Sequence, residues 1–172
     1  MTFDIQLLTR RVDFARFARV YYSEPFQGEL VDAINLKERT VRERSQLPDG
    51  SQRIVVYIEP RVELPAVFAK LVQGYAVGYE ETIVFDPAAR KAQSSVRAPG
   101  GDLLHVAAET LFRESAAGVH THIKLSVRVK IIGVGGAIEK FVANETRKRY
   151  EVVERVLQQF VDAGRDLEAQ RG

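Results

Sequence analysis

Apolar side chains at the start of the chain recur at every second residue, with Phe3, Ile5 and Leu7 alternating against Asp4, Gln6 and Leu8, the period of a half-buried strand. From Asp13 the period lengthens, and Phe14, Phe17, Ala18 and Tyr21 fall at helical spacing. After Ser23-Glu24-Pro25 a second short helix can carry Phe26, Leu30 and Ile34. Leu36 to Leu47 and Gln52 to Glu59 then read as strands of one hairpin. Between them, Pro48-Asp49-Gly50-Ser51 supplies the fixed φ of proline and the positive φ that glycine tolerates. The apolar segment Leu64 to Val72 reads as a short helix, since Pro65 suits a first helical turn and no breaker follows before Gly74.

From Tyr75 to Val129 the chain alternates strands with turns at Asp86-Pro87-Ala88-Ala89, Pro99-Gly100-Gly101 and Ser115-Ala116-Ala117-Gly118, which predicts an antiparallel meander. In the last strand Val119, Thr121, Ile123, Leu125, Val127 and Val129 share one face, and His120, His122, Lys124, Ser126, Arg128 and Lys130 the other. Closing the last hairpin between Glu114 and Val119 sets Lys124 opposite Glu109 and turns Leu104, Val106, Ala108, Thr110 and Phe112 inward. The same reasoning at the Asp86 turn pairs Phe85 with Arg90 and places Tyr75, Tyr79 and Glu81 on the inner face. Beyond Gly133-Val134-Gly135-Gly136 the chain runs from Ala137 to about Ala163 without proline or glycine, enough for about seven helical turns.

With 172 residues, 45% apolar and 28% charged, the sequence predicts one globular domain over 1–164 and a tail over 165–172. A net charge of +2 supplies no large cationic excess, so nucleic acid is not an expected partner. The absence of cysteine excludes disulfides, thiolate metal ligation and a cysteine nucleophile. No apolar run is long enough to span a membrane, so stable insertion is not expected, while transient membrane contact stays open. In MTFDIQLLTRRVDF the basic pair follows the apolar run, the reverse of a secretory signal, and the expected location is the cytoplasm.

Several patterns invite chemistry. The glycines at 133, 135 and 136 lack the third glycine of a dinucleotide fingerprint, whose position falls at Ile138, and they serve better as a sharp reversal into the long helix. His105, His120 and His122 point outward with no further ligand, which predicts solvated histidines and no metal site. The run Lys37 to Arg44 holds six charges in eight residues, of mixed sign, and reads as a solvated strand with cross-strand ion pairs, one of whose faces must still look into the sheet's concave side. No Ser-His-acid set assembles. In the long helix Ile138, Glu145, Arg149, Val152 and Val156 fall on one line, flanked by Phe141, Val142, Val153 and Phe160, so charges interrupt an apolar stripe. Buried ions are expensive unless paired, which leaves two readings: a hydrated cavity, or an i,i+4 structural pair of Glu145 with Arg149.

A strand, two short helices, an antiparallel sheet of about six to seven strands and a long C-terminal helix resembles the helix-grip fold of the START-like and pollen-allergen-like (SRPBCC) superfamily, an α+β architecture. The phrases Leu64-Pro65, Tyr79-Glu80-Glu81 and Val129 to Phe141 are similar to an uncharacterised bacterial family within it. That resemblance implies a curved sheet wrapped around the helix with a cavity between them, and members that range from lipid and sterol carriers to polyketide cyclases. The expected function is noncatalytic binding or transport of a hydrophobic or amphipathic small molecule, with no cofactor and the oligomeric state left open. The expected ligand-binding residues are Phe68, Leu71, Tyr75, Tyr79, Glu81, Val106, Thr110, Ile123, Phe141, Glu145, Arg149 and Val152. Phe68 and Leu71 anchor the inserted helix as a lid. The alternative is a cyclase or dehydratase in which Glu81 or Glu145 transfers protons and Arg149 holds an anionic oxygen.

Overall fold

The computed structural model describes residues 1–61, 78–97 and 103–165. Among these residues seven strands form one antiparallel sheet: β1 (Thr2–Arg10), β2 (Leu36–Gln46), β3 (Gln52–Pro60), β4 (Tyr79–Asp86), β5 (Lys91–Arg97), β6 (Leu104–Ser115) and β7 (Gly118–Val129), in the order β1-β7-β6-β5-β4-β3-β2. Helices α1 (Phe14–Tyr21) and α2 (Glu24–Ala33) follow the first strand, and α3 (Gly135–Asp162) follows the last. This is the helix-grip arrangement that the element order predicts. The expected helix with Phe68 and Leu71, Tyr75, the turn at 99–101 and residues 166–172 of the expected tail lie outside the described residues.

Local chemistry explains the helix starts. The Asp13 carboxylate accepts from the Arg16 N–H at 2.8 Å, and the Ser23 hydroxyl accepts from the Phe26 N–H at 3.4 Å ahead of Pro25 in the first turn of α2. Gly133, at φ +85°, reverses the chain into α3, and Gly135 lies so close to the Val129 carbonyl that a Cβ there would sit 2.9 Å from its oxygen.

One end of the fold is packed solid. Phe14, Phe17 and Val20 of α1 meet Phe26 and Leu30 of α2, Phe85 and Phe112 of the sheet, and Val156, Leu157 and Phe160 of α3. The Phe17 and Phe112 rings lie 5.4 Å apart and Phe14 and Phe112 5.7 Å, within the range of favourable aromatic pairs. A second cluster, Ile5, Ala108, Ile123, Leu125 and Val127, binds β1 to the centre of the sheet.

The β6–β7 hairpin has the predicted register, with Glu114 opposite Val119 and Glu109 opposite Lys124. The β4–β5 hairpin differs: Phe85 faces Ala92, and Asp86 faces Lys91, instead of Phe85 facing Arg90. Arg90 takes φ +51° and belongs to the turn, where the Asp86 carboxylate accepts from the Ala89 N–H at 2.9 Å. The slip is an even number of residues, so the inner and outer faces survive it and Glu81 still points inward.

Both sheet edges are protected. On β1 the Leu8 and Arg10 N–H groups donate to Glu154 Oε1 at 2.6 Å and Gln158 Oε1 at 2.7 Å, so α3 side chains take the place of another strand. On β2 the edge carries charges and two register shifts, devices that discourage pairing with a further chain.

Candidate functional site

Between the sheet and α3, toward the end where β6 and α3 begin, a cavity of about 400 Å³ remains. Its walls are mainly aliphatic: Ile54, Val56 and Ile58 of β3, Val96 of β5, Val106 of β6 and Ile138 and Val142 of α3 are among them. Among the described residues the walls reach solvent at Val41 and Leu103, which are 39% and 47% exposed. A concave apolar space with a few converging polar groups is the usual form of a small-molecule site.

The polar groups come from opposite walls. On the sheet side β2 contributes Arg39 and Arg44: a bulge turns Arg39 inward, and a second bulge returns Arg44 to the face that its parity with Leu36 already gives it. Strict alternation from Leu36 would turn Lys37 to Arg44 alternately in and out, but the register shifts between Leu36 and Glu38 and again between Val41 and Glu43. Leu36, Arg39, Val41 and Arg44 consequently share the cavity face, opposite Pro60, Ile58, Val56 and Ile54 of β3. The remaining charges of the run stay outside: Lys37 pairs with Glu59 at 2.7 Å, Glu43 with Arg53, and Arg42 lies 4.4 Å from the centre of the Tyr57 ring.

Glu81 of β4 lies deep in the cavity wall. Burial pushes its carboxyl above the ordinary value, an effect opposed by the Ser94 hydroxyl and the positive field of Arg39. Desolvation in turn pulls the Arg39 guanidinium below its usual value, with Glu81 opposing. Four tyrosines surround this pair. Tyr79 accepts a hydrogen bond from Arg149 at 3.2 Å across the cavity. Burial pushes Tyr21 up to about 12 and Tyr22 and Tyr150 well above the phenolic range, with Glu81 adding to each. The hydroxyls of Tyr21, Tyr22 and Tyr150 make no hydrogen bond to the described residues and line the cavity.

Of the residues expected from sequence, Tyr79, Glu81, Val106, Thr110, Phe141, Glu145 and Arg149 line this space. Ile123 does not: it is 1% exposed within the second core cluster, where Val142 and Tyr150 of α3 pack over it. Val152 does not either: α3 is turned so that Val153, buried in the aromatic core cluster, also lines the cavity, while Val152 packs half-buried against that cluster away from the space. The i,i+4 pair of Glu145 with Arg149, one of the two readings of the stripe, does not form either. Glu145 pairs with the exposed Lys148 at 2.9 Å, three residues on, while Arg149 reaches across to Tyr79. The histidines occupy the outer face, with His122 bonded to Asp4 at 2.8 Å and His120 to Ser115 at 3.1 Å.

Arg39, Arg44, Tyr21, Tyr22 and Tyr150, with Gln27, Ser94 and Thr146, are polar wall residues absent from the set expected from sequence. The tyrosines carried a signal, since Tyr21 lies on the apolar face of α1 and Tyr150 falls one residue from Arg149. Arg44 carried the parity of Leu36, whereas Arg39 carried none, because the first bulge turns it inward without leaving a mark in the periodicity of β2.

A family model described as "Protein of unknown function (DUF2505)" matches residues 8–161. No curated protein matches the chain. Among solved structures, TTHA0849 from Thermus thermophilus superposes with a TM-score of 0.62 at 15% identity, covering 95% of this chain and 97% of that one. A START superfamily protein from Mycobacterium smegmatis gives 0.52 at 15% identity, covering 93% and 97%. The di-domain ARO/CYC StfQ from the steffimycin biosynthetic pathway gives 0.59 at 14% identity, covering 94% of this chain and 51% of that one. At such identities the likeness establishes the START-like helix-grip fold.

Proposed function

The chain belongs to the DUF2505 family, whose description assigns no activity, and we propose from the cavity itself that it binds a hydrophobic or amphipathic small molecule and carries or presents it. The observation that carries this reading is the combination of about 400 Å³ of internal space, aliphatic walls and a confined polar group of Arg39, Glu81, Tyr79 and Arg149. The apolar walls supply affinity through burial, at roughly 25 cal/mol per Å² of apolar ligand surface, and the polar group fixes orientation. The test is native mass spectrometry of freshly purified protein, followed by organic extraction, together with titration of the neutral fluorophore 1-aminoanthracene. A co-purifying small molecule or saturable probe binding is the expected result. A bare protein that binds no probe would mean that the space serves packing alone.

A second reading is favoured by one feature, the raised carboxyl of Glu81 beside tyrosines and arginines, together with the fold shared with an ARO/CYC protein. In that reading Glu81 is a general acid or base for cyclisation with loss of water, and Arg149 steadies an anionic oxygen. Glu145 is the weaker candidate, since its carboxylate is engaged by Lys148. Glu81→Gln would then retain an extracted small molecule heavier by one or more waters than that held by the unaltered protein. The same mass in both would leave the binding reading in place and remove the catalytic one.

A further inference from the structure

We propose that the cavity selects an amphipathic carboxylic acid, whose carboxylate docks between Arg39 on the sheet and Arg149 on the helix while its apolar body lies along the aliphatic walls. The inference rests on the binding reading above and adds the chemical class of the ligand. Arg39 and Arg149 line the same cavity from opposite walls, one placed by the β2 bulges and the other by the helix stripe. Neither forms an ion pair with a described carboxylate; the one hydrogen bond Arg149 makes is to the Tyr79 hydroxyl at 3.2 Å, a neutral acceptor.

The charges facing this region do not cancel. Glu145 is neutralised by Lys148, and Arg44 is exposed and donates to the Tyr22 carbonyl at 3.1 Å. That leaves two guanidiniums against the single carboxyl of Glu81. A desolvated cation without a partner is unfavourable, and an anion delivered by the ligand relieves it with charge-assisted hydrogen bonds. A guanidinium presents a planar fork suited to both oxygens of a carboxylate, and Arg39 and Arg149, whose charges both act on Tyr79, offer two such forks to one group. Tyr21 and Tyr150, whose hydroxyls bond to no described residue, line the same cavity and add donors. A cationic head group would meet two like charges in the same place. An uncharged alcohol would bring no further anion to the two guanidiniums.

The experiment displaces 1-aminoanthracene from the full chain with dodecanoic acid and with 1-dodecanol, matched in length and differing in charge. Dodecanoate is expected to displace the probe at concentrations at least tenfold lower, equivalent to about 1.4 kcal/mol. Arg39→Met, Arg149→Met and the double variant keep most of each stem and remove the charge. In them the ratio of acid to alcohol affinity is expected to fall toward one. The single variants are made beside the double, with circular dichroism melts, so that loss of folding in one leaves another to report. Equal displacement by acid and alcohol in the unaltered protein would overturn acid selection while leaving cavity binding intact. A preference for acid that persists in a folded double variant would overturn the role of the two arginines. Absence of probe binding altogether would overturn the underlying reading and this inference with it.

Discussion

At the scale of single residues, Glu81 is a carboxyl that the fold withdraws from water. Burial holds its carboxyl above the ordinary value despite Arg39 and Ser94, so the folded chain binds this proton more tightly than the unfolded chain does. The stability that follows from the raised value is complete below the unfolded carboxyl range, about 4.3, and is lost as the pH rises through the folded value. Glu81→Gln removes the titration and keeps the shape. Its melting temperature relative to the unaltered protein is therefore expected to increase as pH rises from 4 toward 7, by a few degrees, since about 1 kcal/mol moves the midpoint by roughly 2–4 °C in a chain of this size. Melts at intervals across that range measure the difference directly. A constant difference would mean that Glu81 ionises as freely inside as outside.

At the scale of elements, the edge strand β1 depends on a helix far away in sequence. Its Leu8 N–H donates to Glu154 and its Arg10 N–H to Gln158, so α3 both covers the sheet and closes its edge. Glu154→Ala leaves the Leu8 amide without that acceptor, and the expected cost is about 1–2 kcal/mol, the lower part of the range for an orphaned donor because the site is only partly buried. Hydrogen exchange should quicken at Leu8 and stay unchanged in the middle of β7; protection of Leu8 equal to that of the unaltered chain would show the contact to be idle. Periodicity alone makes most of the elements legible: alternation in β6 and β7 gives even their register, and helical spacing gives α1, α2 and α3. What it does not give depends on contacts between elements. The turn that absorbs Arg90 takes a positive φ at a non-glycine residue, the first bulge of β2 moves Arg39 and Val41 inward, and the rotation of α3 that brings Val153 to the cavity in place of Val152 is set by packing on the aromatic core. The candidate site was accordingly half visible. Residues on regular elements, such as Glu81 and Thr110, follow from parity, whereas Arg39 on the bulged strand does not.

At the scale of the whole molecule, the fold is asymmetric along α3: aromatic side chains fill the space beside its C-terminal half, and the cavity lies beside its N-terminal half. Core packing at one end can stabilise the chain while the other end keeps room for a guest. Val106, half-buried on β6 between Val96 and Val127 of the flanking strands, faces that room. Val106→Phe separates an open cavity from a filled core. In a close-packed interior the larger ring would be destabilising by about 1–3 kcal/mol. In a cavity of about 400 Å³ it has space to enter, so the melting temperature is expected to stay within roughly 3 °C of the unaltered value while 1-aminoanthracene affinity falls at least tenfold. The unaltered protein supplies the complementary reading. A ligand at a hundred times its dissociation constant stabilises by about 2.7 kcal/mol, which corresponds to a rise of roughly 5–10 °C, and that rise should vanish at the same ligand concentration in the folded variant. A variant that melts early yet binds the probe unchanged would place the binding site elsewhere and return Val106 to the core.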